Sequence, residues 1–477
     1  MSYFHYSFFS RMKYALPAMA ILSLLVWGCA TFYQKTAAIQ NNIQQGNFEA
    51  AKKQLDKEKK WATNQNRVLY FMNRGVVDFM LGLHDESNQY FNQADYYIED
   101  FSKNFGSEAL ALISNPMVKP YQPEDFEAIM VNYYKALNYI ALADYEGALV
   151  ECRRVNIRLQ QLNDRYKKHK NKYANDAFAH NLMGLIYDAM GDYNNAFIAY
   201  RNAFETYEDE YSTLFGVTPP LQLKKDLLLS AKKIGFSKEL HYYEEKFKMK
   251  CPSENADEGN LVYIWMTGFG PVKSEWSLNL TNMGVNNGTM IFGSTELGLT
   301  FPIFIGNQSR EKQAAFKNLS IVRVAFPKYI ERPPKFVTAE LTSGSQKYPL
   351  ELAQDINKIA FQSLHDRMLR DLGNSLLRLA TKQVMEQASR NQNENLGTII
   401  SIVNAMTEKA DTRNWQSLPY SISYTKIPLK EGIHQLQLNQ YGRNAKTTEK
   451  VTVDIKAGKT TFKVFHQLGG APVLNNY

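Results

Sequence analysis

The stretch Ala177–Tyr207, AFAHNLMGLIYDAMGDYNNAFIAYRNAFETY, constrains this chain more than any other. Counted from Gly184, residues of fixed character recur at Tyr187, Gly191, Ala196, Tyr200 and Ala203. Each has a mechanical reason. Small Gly184 and Ala196 let two antiparallel helices cross closely, and Gly191 ends the first helix in the turn GDYN. Tyr187 and Tyr200 fill the groove between the helices, and small Ala203 leaves room for the next unit.

These offsets resemble the tetratricopeptide repeat. Weaker copies carry turn residues at Gly46, Gly82, Ala143 and Gly235, so the turns fall 36, 61, 48 and 44 residues apart. The usual period is about 34, so the excess implies inserted loops, among them RYKKHKNKYAN and STLFGVTPPLQ. An all-α solenoid over 29–250 is expected, with the first helix of each pair lining a concave face that takes a partner segment. Tyr133, Asn138, Asn181 and Lys225 are the candidate residues on that face. Asn181 and Lys225 occupy the fifth position of a first helix, which in some tetratricopeptide domains helps hold a peptide carboxylate. Met72 and Tyr133 stand at the corresponding places in other copies, so the rest of such a clamp is missing.

The amino terminus begins with Arg11 and Lys13 and no acid, followed by an apolar run from Tyr14 to Trp27. That run is short of the ~20 residues a membrane span needs and suits a secretory signal. Val26-Trp27-Gly28-Cys29 resembles the lipobox of bacterial lipoproteins, with Trp27 its departure. The resemblance implies cleavage after residue 28 and a lipid anchor on Cys29, and two or more acyl chains give stable attachment. Ala30 and Thr31 follow without an Asp, which favours an outer-membrane location facing the periplasm.

After residue 250 the periodicity changes. The stretch 251–260, CPSENADEGN, reads as a linker, and 261–477 as a β-rich domain. LVYIWMTGF, LGLTFPIFI, SIVRVAF, YSISYTKIPL, HQLQLNQY and EKVTVDIKA are short, rich in β-branched and aromatic residues, and set between Gly, Pro and Asn. They suit the antiparallel strands of a sandwich. KAGKT is expected to close a hairpin, and Asn282–Ser294 reads as a surface loop. A helical insert is expected over about 354–410, from apolar residues near 3.6 spacing. The expected fold class is therefore α + β and multidomain: a helical solenoid followed by a sandwich-like domain with a helical insertion. DTRNWQSLP (Asp411 to Pro419) has two readings: a recognition loop using Asp411, Arg413 and Trp415, or a helix-to-strand corner locked by Trp415.

The net charge of +8 falls by the two charges of Arg11 and Lys13 to +6 after cleavage, weak grounds for a nucleic-acid partner. Cys29, Cys152 and Cys251 form no metal pattern; a Cys152–Cys251 bridge is allowed, while Cys152 falls where burial is expected. The eight histidines make no HExxH, and no nucleophile elbow or phosphate loop occurs. No cofactor, metal or catalytic set is expected. IMVNYYKALNYIALADYEGALVECRRV, GFGPVKSE and EKADTRNWQSLPYSISYTKIPLKEGIH resemble an uncharacterised family of Gram-negative envelope lipoproteins, some associated with lipoprotein activators of penicillin-binding proteins. The resemblance implies an envelope scaffold that docks other envelope proteins through its repeats. The alternatives are a glycan- or peptidoglycan-binding β domain using Trp265, Trp276 and Trp415, and a hydrolase hidden in the sandwich.

Overall fold

The computed structural model describes residues 32–103, 119–164, 172–294, 299–307, 310, 313, 321–368 and 410–468. The apolar leader, Cys29 and most of the expected helical insert lie outside the described residues.

The helices come in pairs: α1 (Phe32–Gln44) with α2 (Phe48–Lys57), α3 (Arg67–Met80) with α4 (His84–Lys103), α5 (Asp125–Ala141) with α6 (Tyr145–Asp164), and α7 (Ala177–Met190) with α8 (Tyr193–Thr206). A π-turn and the short α9 (Ser212–Phe215) then lead to α10 (Leu221–Lys233) and α11 (Ser237–Phe247). Gly46, Gly82, Ala143, Gly191 and Gly235 all adopt left-handed backbone, with φ of 73°, 73°, 59°, 78° and 74°. The following amides reach back into the helix just ended: Leu83 N to Asp78 O at 2.9 Å and Asp192 N to Tyr187 O at 2.9 Å. This closes the orphan carbonyls and reverses the chain. Between paired helices the small residues work by contact. A Cβ on Gly184 would stand 2.3 Å from the Tyr200 ring, and one on Gly75 would stand 2.6 Å from Phe91.

Among the described residues the second half holds three sheets. The first has the order β12-β1-β9-β8, from β1 (Glu258–Thr267), β8 (Glu351–Asp355), β9 (Ser421–Lys430) and β12 (Thr460–Gln467). The second has the order β11-β10-β6-β7, from β6 (Thr338–Ser343), β7 (Gln346–Pro349), β10 (Gly432–Tyr441) and β11 (Lys446–Ile455). The third has the order β4-β3-β2-β5, from β2 (Val272–Asn286), β3 (Thr289–Ser294), β4 (Leu299–Phe304) and β5 (Ile321–Ile330). The chain is thus an α + β multidomain protein.

Alternation along the strands builds three layers. Leu261, Tyr263 and Trp265 of β1, with Ile427 and Leu429 of β9, share a core with Leu341, Leu436, Leu438, Val451 and Val453 of the second sheet. The intervening residues Val262, Ile264 and Met266, with Ile422 and Tyr424, belong instead to the core of the helical array. The first sheet is therefore buried on both faces, between helices and the second sheet. Its β1 is apolar without interruption from Leu261 to Met266, as strands covered on both sides are, while β10 alternates because one face meets water.

Four expectations are corrected here. The expected linker 251–260 overlaps β1 by three residues, because Glu258 through Asn260 already pair with β9. Asn282–Ser294 is not a loop but the paired ends of β2 and β3. Asn287 and Gly288 both take positive φ, 47° and 71°, the backbone of a two-residue hairpin turn that favours Asn-Gly. The turn at Lys456–Thr460 closes no hairpin, since β12 leaves the second sheet and pairs parallel to β1. At the expected insert, Gln354 and Asp355 still belong to β8, and helix is described over 356–368.

Gly184→Ala should destabilise the chain by about 1–3 kcal/mol, although alanine favours helix over glycine by about 1 kcal/mol. Urea unfolding of the two chains checks this; an unchanged or raised midpoint would contradict close crossing at Tyr200.

Candidate functional site

The face of the array on which a partner segment is expected is formed by the first helices of the pairs, α3, α5, α7 and α10. In the folded chain these helices meet the chain's own β domain, along a seam of four clusters.

At one end lies the segment 410–420, which runs over α3 and α5 and turns at Gln416 and Ser417. Asp411 holds the Arg413 guanidinium at 2.6 Å, and Arg413 also donates to the Asn66 side chain at 3.2 Å and covers the Tyr121 ring. The Trp415 amide donates to Glu127 of α5 at 2.7 Å, and its indole N–H donates to Ser417 Oγ at 2.9 Å. Ser417 in turn donates to Asn73 of α3 at 3.0 Å. The indole packs on Phe91 and Tyr134, with ring centroids 6.0 and 5.7 Å away. Asn414 ties the segment to the third sheet: its Oδ1 accepts from Lys273 N at 3.1 Å and its Nδ2 donates to Pro271 O at 2.9 Å.

Beside it, Glu124 at the start of α5 receives Lys273 of β2 and Arg367 of the helix over 356–368. Neighbouring Glu127 accepts the Tyr121 hydroxyl as well as the Trp415 amide. Burial pushes the Glu127 carboxyl above its usual range, against the pull of Lys273.

In the middle, Asp176 caps α7 by accepting from Ala179 N at 2.7 Å. It also accepts the hydroxyls of Tyr133 and Tyr173 and, at 2.7 Å, the amide of Gln354 from β8. Tyr211 donates to Gln354 Oε1 at 3.0 Å, and Tyr207 to the Ala353 carbonyl at 2.8 Å. Burial raises the pKa of all four tyrosines, so each stays a neutral hydroxyl donor.

At the far end, Lys426 of β9 reaches between Asp188 of α7 and Asp226 of α10, the latter at 3.1 Å. Burial alone would raise Asp188, but Lys426 and Lys233 hold it below its usual range. Asp226 is pushed up to about 6, mainly by burial and further by Asp188, with Lys426 opposing. Glu351 of β8 accepts from the backbone N–H of Leu221 at 2.9 Å and of Gln222 at 2.8 Å. The β domain thereby caps the first turn of α10, where a carboxylate satisfies orphan donors and suits the helix dipole.

The candidate residues are redistributed by this seam. Tyr133, Asn138 and Asn181 do not line an open face; Tyr133 is 1% exposed and the two asparagines 0%. Tyr133 is spent on Asp176, and Asn181 lies against Tyr424 of β9. Asn138 holds α4, donating to Ser87 Oγ at 2.8 Å and to Asn88 Oδ1 at 3.0 Å. Lys225 stays half-exposed on α10, apart from the others. Arg413 and Trp415 are buried within the seam, so Asp411, Arg413 and Trp415 form no exposed recognition loop. Trp265 is buried in the sandwich and donates to Gln440 at 3.1 Å. With Trp415 also buried, the tryptophans offer no common surface to a glycan. Cys152 is buried and Cys251 half-buried, both as free thiols. Among the described residues no cluster of side chains suits a metal ion, and no helix is long and apolar enough to cross a membrane.

Sequence reasoning missed Glu124, Glu127, Asp176, Asp188, Asp226, Lys273, Gln354 and Lys426. A signal existed for two of them. Glu127 interrupts the otherwise apolar FEAIMV, and Lys426 is the one charge in the strand-like YSISYTKIPL; a charge there is buried only if paired.

No family profile matches the chain, and no curated protein matches it in sequence. Among solved structures, the MamA protein is 17% identical over 46% of this chain and 96% of its own, with a TM-score of 0.28. A putative kinesin light chain of Podosopora anserina with nearly identical TPR-like repeats is 14% identical over 45% of this chain and 93% of its own, at 0.30. The apo form of RapI is 13% identical over 48% of this chain and 56% of its own, at 0.33. Likeness at such TM-scores carries no weight for fold or action; the repeat architecture rests on this chain's own helix pairs and turns.

Trp415→Ala should cost about 3–5 kcal/mol, read as a lower urea midpoint; a loss below about 1 kcal/mol would mean the indole does not anchor the seam. Lys426→Met removes the cation that Asp188 and Asp226 share, leaving Lys233 beside Asp188 alone, and should cost about 3–5 kcal/mol. Asp226 also sets a pH dependence. Its pKa rises on folding from 3.8 to about 6, so its contribution to stability is present below about pH 3.8 and lost as pH climbs through about 6. Asp226→Asn should therefore shrink the Tm difference between about pH 4 and pH 7 relative to the parent chain; an unchanged difference would refute the assignment.

Proposed function

We propose that this protein is a non-enzymatic scaffold of the bacterial cell envelope, held at the outer membrane by lipid on Cys29 and facing the periplasm. One observation carries the scaffold reading. The buried carboxylates, lysines and tyrosines that an enzyme would gather around a substrate are gathered here along the seam, bonded across it to the chain's own β domain. The repeat array spends its first-helix faces on a segment of its own chain. A partner therefore docks on outward surfaces: the second helices of the pairs, the terminal α11 with its exposed Tyr242, or the third sheet. The leader and Gly28-Cys29 support the anchor.

Crosslinking-mass spectrometry in intact cells, together with the intact mass of the amino-terminal peptide, tests this reading. A lipid-modified Cys29 and crosslinks from outward surfaces to envelope proteins are expected. An unmodified Cys29 with its leader retained would remove the anchor. Partner crosslinks concentrated beside Asn138 and Asn181 would mean that the first-helix faces open, contrary to the proposal.

A further inference from the structure

The first helix pair determines which end of the molecule a lipid on Cys29 would hold against its membrane. Only Ala30 and Thr31 stand between Cys29 and Phe32, the first residue of α1. Three peptide steps reach at most about 11 Å. From there on the chain is part of the folded body. Ile39 and Ile43 of α1 are buried in one core with Ala51, Leu55 and Trp61, and that core includes Phe269 and Leu468 from the β half. A lipid on Cys29 therefore brings the start of α1, and whatever stands beside it, close to the headgroups.

The residues beside it follow from the hairpin. α2 runs back along α1, with Asn42 Nδ2 donating to Gln54 Oε1 at 2.9 Å. The 13 residues of α1 rise about 20 Å. The 10 residues of α2 return about 15 Å of that, and the short turn Lys59–Thr63, pinned by buried Trp61, covers the rest. Lys57, Lys59 and Lys60 thus stand at the level of α1's first turn, and all three are exposed. Lys53, one turn before Lys57, is exposed as well. The acids of this stretch are engaged: Asp56 holds Arg74 at 2.7 Å, and Glu58 lies 3.5 Å from Lys60. Lys53, Lys57 and Lys59 have no ion pair among the described residues. Their ammonium groups complement the phosphates of an anionic bilayer, whose attraction acts only within a Debye length of its surface. The short tether keeps them in that range.

We infer that the end of the array bearing Lys53, Lys57, Lys59 and Lys60 is a membrane-apposed surface, which holds the anionic phosphates of the leaflet that carries the Cys29 lipid. This rests on the anchor proposed above, and the test separates the two. The full chain, purified from cell envelopes, is reconstituted into vesicles of phosphatidylcholine alone or with phosphatidylglycerol, and its lysines are acylated with an uncharged water-soluble reagent. Labelling of Lys57 and Lys59 should fall about fivefold or more in the anionic vesicles, measured against half-exposed Lys225 on α10 at the other end of the array. The mass of the amino-terminal peptide from the same digest reports the lipid. Equal labelling in the two kinds of vesicle, with lipid present on Cys29, would overturn the inference and leave the anchor standing. An unmodified Cys29 would remove the anchor and this surface with it.

Discussion

The interaction on which the rest of this structure depends is the burial of one sheet on both of its faces. Strands β1 and β9 give alternate side chains to the sandwich and to the helical array, so neither half of the chain completes its core without the other. Val262, Ile264, Met266, Ile422 and Tyr424 are as much part of the helical core as Leu182 or Tyr200. At roughly 25 cal/mol per Å² of apolar surface removed from water, such a face favours a closed seam over a groove that opens for passing peptides.

Apolar burial fixes no register, and the polar groups supply it. Lys426 fits between two carboxylates of α7 and α10, Glu351 caps the start of α10, and Gln354 reaches the aspartate that caps α7. A shift of the sheet by one residue would leave each of these groups buried without a partner, and breaking a buried pair costs more than forming it contributes. The Trp415 segment extends the same logic to α3 and α5. It lies where a tetratricopeptide array would hold a ligand, and it is bound by backbone and side-chain contacts as a ligand would be.

Much of the architecture was legible in the sequence. Gly46, Gly82, Ala143, Gly191 and Gly235 marked the helix turns because left-handed backbone tolerates few residues, and Gly184 marked a close crossing because only a residue without Cβ fits beside Tyr200. The strands of the sandwich were visible in their composition. The seam was not, because periodicity reports which side of an element is apolar and not what covers it. Tyr133, Asn138 and Asn181 read as a polar concave face, and all three are buried inside the protein, Tyr133 bonded to Asp176 and Asn138 to Ser87 and Asn88. The uninterrupted LVYIWM of β1 was the available clue that something covers both its faces. The hairpin at Asn287-Gly288 was passed over because its flanking strands contain Asn and Gly, which strands usually avoid.

A chain built this way acts as one body: its helix pairs hold fixed positions relative to the β domain. Scanning calorimetry of the full chain tests that claim most directly. A sheet shared by both cores predicts a single cooperative endotherm whose calorimetric and van't Hoff enthalpies agree. Two separated transitions, one for the helices and one for the sheets, would contradict it.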